Sequence, residues 1–220
     1  MDKFSKLYSK IISESTSGTY VLSKSDEMYN PSKYTLVGTA SSLRELSKLA
    51  LSTLAKEEKV TFEGVDDAKK IQTSFASHGR VQPSINEDGF GLCWSKVESS
   101  SPDPVFFGML CGENSDGFWP QAAGSSKEEV CMALGALWAQ AIKDFPTDVD
   151  DLENVIGLEI SEEEAAEALG KALAETLVPG EPLGEEEPFE LACRSLAKEK
   201  EPDFSILHGQ DLWFCLLQKK

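Results

Sequence analysis

Carboxylates are concentrated in one part of this chain, and they are the residues whose type and spacing most suggest a chemical role. Between Asp144 and Glu190 the sequence holds 16 Asp and Glu residues, and Lys171 is the only base. Such a run can bind a cation, engage a basic surface, or keep helical surfaces soluble and their N-termini stabilised. Because the excess charge costs self-repulsion unless it is screened or neutralised, a binding partner is an alternative to solubility alone.

A calcium-binding loop is the first chemistry to test against this run. An EF-hand loop needs oxygen ligands at positions 1, 3, 5 and 12 and Gly at position 6. Counted from Asp148, the carboxylates Asp150 and Glu159 fit the third and twelfth positions. Leu152 and Glu153 occupy the fifth and sixth, so a ligand and the sharp turn are missing. The pattern predicts no metal site, and we expect no cofactor.

The second chemistry is recognition of a basic protein surface. Clustered carboxylates accelerate encounter with a segment rich in Lys and Arg and select partners by sign. An alternative is DNA mimicry, in which the carboxylates take the place of phosphates in the groove of a DNA-binding protein. The carboxylates assigned to this surface are Asp148, Asp150, Asp151, Glu153, Glu159, Glu162, Glu163 and Glu167.

An aromatic pair is a further candidate for partner binding. Phe118 and Trp119 follow a Ser-Asp-Gly turn and precede Pro120. Exposed aromatic side chains in a loop often anchor a protein interface. The alternative is that both rings fold back over the core.

Catalytic chemistry has weaker support. Cys193 and His208 would form a thiolate pair if the fold joined them, but Cys193 lies between apolar neighbours on a predicted helix. Ser195 and Lys198 have the Ser-x-x-Lys spacing of some acyl-transfer enzymes, without an accompanying motif. We assign no catalytic residue. A hydrolase or transferase with a Cys or Ser nucleophile remains an alternative to a non-enzymatic adaptor, chaperone-like factor or inhibitor.

Composition limits the possible partners and compartments. The chain has 220 residues and a net charge of -17, with 12 bases and 10 acids in residues 1–80 but 9 and 28 in residues 81–220. This balance disfavours direct contact with nucleic-acid phosphates or anionic membranes. The sequence shows neither a signal-peptide pattern nor an apolar run that would span a bilayer. Five dispersed cysteines without a C-x-x-C pair predict reduced thiols and a cytoplasmic protein.

Helix-capping patterns place the elements around these residues. Ser42 with Glu45, Ser125 with Glu128 or Ser126 with Glu129, and Ser161 with Glu164 each predict a helix start. Pro188 suits the first turn of a fourth helix. Further helices are expected at Asp2–Ile12 and Asp66–Ala76.

Runs of β-forming residues predict strands at Thr19–Leu22, Tyr34–Val37 and Asp211–Leu217, with a hairpin of Phe90–Val97 and Val105–Cys111. The second hairpin strand is apolar on both faces, which is typical of a central strand. We therefore expect an α+β fold: an antiparallel or mixed sheet covered by amphipathic helices, with an acidic, mainly helical C-terminal portion. Residues 1–145 form the predicted α+β core, and residues 146–220 form the acidic portion, which includes a terminal strand and packs on the same core. A separate second domain is the alternative. No internal repeat is evident.

Overall fold

A computed structural model describes residues 18–26, 33–56, 80–81, 92–99, 101–112, 120–143, 160–184, 186–197, 202 and 212–220. The helices expected at Asp2–Ile12 and Asp66–Ala76 lie outside these residues. So do seven residues of the predicted partner-binding surface, which are Phe118, Trp119, Asp148, Asp150, Asp151, Glu153 and Glu159.

The first sheet is antiparallel and has four strands in the order β2-β1-β4-β3. Strand β1 is Thr19–Ser25, β2 is Tyr34–Ala40, β3 is Arg80–Val81 and β4 is Leu92–Val97. β1 and β2 pair as neighbours in sequence, which confirms the predicted strand pair. Helix α1, Leu43–Leu54, follows β2.

The second sheet is also antiparallel, with the order β6-β5-β8-β7. Strand β5 is Phe106–Gly112, β6 is Pro120–Gly124, β7 is Leu183–Gly184 and β8 is Leu212–Gln218. In chain order, β6 is followed by helix α2, Lys127–Lys143, and then by helix α3, Glu162–Thr176. Helix α4, Glu186–Leu196, follows β7 and precedes β8. The expected α+β class is confirmed.

The predicted hairpin of Phe90–Val97 and Val105–Cys111 is wrong as a pairing, although both strands exist. β4 pairs with β1 and β3 in the first sheet, while β5 pairs with β6 and β8 in the second. The Ser/Pro-rich connection carries the chain from one sheet to the other. Sequence proximity favours pairing of neighbouring strands, but here strands of its own sheet occupy both hydrogen-bonding edges of β4 and of β5.

The two sheets pack face to face, and helices cover both outer faces. Between the sheets, buried side chains of the first sheet such as Val21 meet Phe107, Met109 and Cys215 of the second. On the outer face of the first sheet, Leu22 packs with α1. On the outer face of the second, α2, α3 and α4 form the largest cluster. β5 is therefore central and covered on both faces, as its composition predicts.

Serine caps begin three of the helices. The Glu45 N–H donates to Ser42 Oγ at 3.3 Å, and the Glu129 N–H donates to Ser126 Oγ at 3.1 Å. Of the two predicted pairs at α2, Ser126 and Glu129 form the cap. Each glutamate also accepts a backbone hydrogen bond from the serine one position before the cap, Ser41 or Ser125. These bonds satisfy N–H groups that a helix start leaves without partners.

Helices α2 and α3 pack unusually closely through two glycines. A Cβ added at Gly135 would lie 2.3 Å from the Ala166 carbonyl oxygen, and one added at Gly170 would lie 2.9 Å from Met132 Cα. Four alanines of α3 also lie in this cluster, Ala165, Ala166, Ala168 and Ala172. The close approach of the two backbones therefore depends on the absence of side chains at these positions.

Candidate functional site: the acidic surface of α3 and α4

Three predicted surface carboxylates lie on α3 within the described residues. Glu162 and Glu167 are exposed, and Glu163 is partly exposed. All three lie on a helix whose opposite side, including Leu169 and Leu173, is buried. The amphipathic pattern of α3 therefore directs these carboxylates away from the core, as its sequence predicts.

The start of α3 is a complete capping box. Ser161 Oγ accepts from the Glu164 N–H at 3.2 Å, while Glu164 Oε2 accepts from the Ser161 N–H at 2.9 Å. Glu162, Glu163 and Glu164 occupy the first turn. A helix N-terminus carries partial positive charge, so these carboxylates stabilise the helix that presents them. Glu164 thus has a structural role, as the capping pattern predicts.

Helix α4 extends the acidic surface beyond the carboxylates predicted from the sequence. It packs against α3 through Phe189, Ala192 and Cys193. Glu186 and Glu187, in its first turn, are exposed. Sequence reasoning recognised this helix but did not assign its carboxylates to the surface. The signal was available, because the same amphipathic pattern that buries Phe189 exposes them.

We define the acidic surface as the carboxylates of α3 and α4 that are exposed or partly exposed and lie outside the capping box. They are Glu162, Glu163, Glu167, Glu175, Glu186, Glu187 and Glu190. These side chains lie on two adjacent helices.

Two bases lie on the same helices, and each is paired along its own helix. Lys171 Nζ is 2.7 Å from Glu167 Oε1, and Arg194 Nη2 is 3.6 Å from Glu190 Oε2. Exposed pairs of this kind contribute about 0.2–0.5 kcal/mol each. Across described residues 160–184 and 186–197 the chain has nine carboxylates and these two bases. Pairing therefore leaves most of the negative charge of the two helices uncompensated by their own cations.

The cysteine chemistry considered from sequence is not supported at Cys193. Its side chain is buried between helices, and burial, together with Glu190, raises the pKa of the thiol to about 12. Burial likewise raises the pKa of Cys131 and of Cys215 to about 12. A thiol with such a pKa is protonated at neutral pH, whereas a nucleophilic cysteine needs the thiolate. His208 and Lys198 lie outside the described residues.

Ser195 has a local hydrogen bond rather than a catalytic partner in the described part of the chain. Its Oγ donates to the Ala192 carbonyl at 2.7 Å, within the last turns of α4. Serines near a helix end commonly bond to a preceding carbonyl in this way. Lys198, the other residue of the Ser-x-x-Lys spacing, lies outside the described residues.

Within the described ranges, no group of three His, Cys, Asp or Glu side chains is arranged to hold a metal ion. Among those same residues, no helix combines the length and apolar character that crossing a bilayer requires. The chain matches no protein family model, and comparisons with curated proteins and with solved structures find no match.

Proposed function

We propose that this protein is a non-enzymatic binding protein, such as an adaptor, chaperone-like factor or inhibitor, whose acidic surface engages a basic protein or protein segment. The observation that supports this proposal is the charge on α3 and α4, where eight carboxylates accompany two bases. The burial pattern of both helices turns these carboxylates outward. Lys- and Arg-rich segments have the complementary charge.

The proposed mode of action is electrostatic attraction to a rigid surface. α3 is held by its capping box and by close packing against α2, so its carboxylates are presented by a helix rather than by a loop. A fixed array of like charges raises the local concentration of an oppositely charged partner and its association rate. Because the charges are exposed, their effect falls as salt shortens the screening length.

We further propose that the protein acts in a reducing compartment such as the cytoplasm. Cys93, Cys131, Cys193 and Cys215 are free thiols. Oxidising compartments favour disulfides, and buried reduced cysteines are typical of intracellular proteins.

The test uses a fluorescent Lys/Arg-rich peptide of about 20 residues and measures its Kd over a series of salt concentrations. Glu163→Gln/Glu167→Gln removes two charges from the acidic surface. Glu98→Gln/Asp103→Asn is the matched control, since it removes two charges from residues that lie outside α3 and α4. We expect the surface variant to weaken binding several-fold at low salt and to reduce the salt dependence more than the control does.

Equal effects of the two variants would mean that the peptide senses only net charge, and the proposed surface would then be wrong. Binding that is independent of salt would also contradict it. Competition with duplex DNA for a captured partner tests the DNA-mimicry alternative, because a partner of a mimic must bind both.

A further inference from the structure

We infer that the chain is an internal duplication, in which two copies of one unit, with a β-β-α-β-β order of described elements in common, are fused in tandem and pack like the subunits of a homodimer. Residues 19–97 form the first unit and residues 105–219 the second. The strand orders β2-β1-β4-β3 and β6-β5-β8-β7 are identical when β1 is matched to β5 and the rest follow. In both units a helix follows the second strand.

The same irregularity occurs at the same place in both sheets. Leu22 pairs with Gly38 and Ser23 pairs with Leu36, so Val37 is the extra residue of a bulge. In the second unit, Gly108 pairs with Ala122 and Met109 with Pro120, so Gln121 is extra. Val37 and Gln121 lie at equivalent positions, three residues before the last residue of β2 or β6. A bulge inserts one residue and is a specific local feature, so its repetition is not explained by strand order alone.

The helix starts also match residue by residue. Ser41-Ser42-x-x-Glu45 and Ser125-Ser126-x-x-Glu129 follow β2 and β6 directly, and both make the same two kinds of cap bond. Beyond each cap, three buried side chains recur at equal spacing. They are Leu46, Ala50 and Leu54 in α1 and Val130, Leu134 and Trp138 in α2. The same difference in residue number relates the bulge residue, the cap and these buried side chains of the first unit to those of the second.

The packing between the units is reciprocal, as in a twofold dimer. β4 contacts β6, and the equivalent strands β8 and β2 contact each other. Ser95 Oγ of β4 donates to the Pro120 carbonyl of β6. The hydrogen bonds on the β2–β8 side are different, because Gly180, in the segment after α3, bridges the two strands: its carbonyl accepts from the Tyr34 N–H and its N–H donates to the Leu216 carbonyl, each at 2.7 Å. Contacts that recur with the partners exchanged define an isologous interface.

The two units differ in a part of the acidic surface. Ten residues separate β3 from β4, whereas 27 separate β7 from β8. Ten residues cannot contain an 11-residue helix such as α4. A helix of the length of α4, with Glu186, Glu187 and Glu190, is therefore a feature of the second unit that the spacing of β3 and β4 excludes from the first.

If a twofold axis relates the two units, the order of the units along the chain can be exchanged without changing the fold. The strand pairings place Val105 at the position in its unit that Thr19 has in the first, and Lys219 at the position that Val97 has. The seven residues 98–104, which join Val97 to Val105, should therefore also span from Lys219 to Thr19. A chain in the order 1–18, 105–219, 98–104, 19–97 and 220 tests this, and it keeps all 220 residues.

We expect the reordered chain to be a monomer with the circular dichroism of the natural chain and a single cooperative urea transition of similar midpoint. A second variant replaces residues 98–104 in the reordered chain with about 20 flexible Gly/Ser residues, whose root-mean-square reach exceeds about 20 Å. If only the longer linker gives a folded monomer, or if the short one forces a domain-swapped dimer, the twofold relation is wrong. If neither variant folds, the units are not interchangeable and the inference is overturned.

Discussion

Gly135→Ala tests the close packing of α2 and α3, on which the acidic surface depends. The new Cβ would lie 2.3 Å from the Ala166 carbonyl oxygen, whereas ordinary contacts begin at 3.4 Å. The obstacle is backbone, so α3 must move by about 1 Å, and overpacking of this kind costs about 1–3 kcal/mol. We take about 3 kcal/mol because the neighbour cannot rotate away. Better helix propensity of Ala returns about 1 kcal/mol, which leaves a net loss of about 2 kcal/mol.

The assays are equilibrium urea unfolding, which gives the free energy of unfolding, and thermal unfolding, both followed by circular dichroism. A loss of about 2 kcal/mol corresponds to a fall in Tm of about 4–8 °C for a chain of this size. Gly184→Ala is the matched control, because its Cβ would lie 3.9 Å from the Trp213 ring, an ordinary contact. Gly184→Ala is therefore expected to leave the free energy of unfolding unchanged or to raise it by up to about 1 kcal/mol, because alanine makes the unfolded chain less flexible than glycine does.

The Gly135 result can refute the reasoning in a specific way. If Gly135→Ala were as stable as the natural protein while Gly184→Ala behaved as expected, the close backbone contact between α2 and α3 would not exist in solution. Gly170→Ala provides a graded comparison, since part of its contact is with the flexible Met132 side chain at 2.7 Å. It should cost less than Gly135→Ala, and Met132→Ala should relieve it in part.

Three other predictions concern caps and thiols. Ser161→Ala removes the α3 cap and should cost about 1 kcal/mol in urea unfolding, whereas Ser161→Asp should retain most of it. Hydrogen bonds from Ser41 hold the pKa of Glu45 below its ordinary 4.5, because they favour the charged carboxylate. Their contribution to the free energy of unfolding is therefore present above pH 4.5 and is lost as pH falls through the lower, folded-state pKa. Glu45→Gln should therefore flatten the acid limb of stability against pH, and an unchanged limb would contradict the bond. The third prediction concerns the buried thiols of Cys131, Cys193 and Cys215. Alkylation at pH 8 followed by peptide mapping should show that these thiols react slowly in the native protein and fast in urea. Equal reaction rates in the two conditions would show that they are not buried.

Local chemistry made the helices of the described region predictable. A serine followed three residues later by glutamate satisfies the free N–H groups of a helix start within five residues of chain, so Ser42, Ser126 and Ser161 marked their helices correctly. The same locality made the outward direction of Glu162 and Glu167 predictable, because helical periodicity places them opposite Leu169. The predicted carboxylates before residue 160 stay predictions.

Strand partners and helix contacts were not predictable in this way. β4 and β5 are neighbours in sequence, separated by a loop typical of a hairpin, and yet they lie in different sheets. Each strand has apolar residues on two faces. This pattern predicts that both faces are covered, but it does not predict which element covers them. Gly135 and Gly170 likewise look like weak points in helices until the approach of α2 to α3 gives them a reason.

The sequence by itself determined the α+β class, the helix starts in the described residues and the outward carboxylates of α3, because capping and periodicity act over a few neighbouring residues. Only the tertiary structure decided that the strands form two sheets rather than the one expected sheet, that the strand orders and bulges of these sheets repeat, and that α4 contributes to the acidic surface. Those features depend on contacts between residues far apart in the chain, and a local sequence pattern does not specify which distant elements meet.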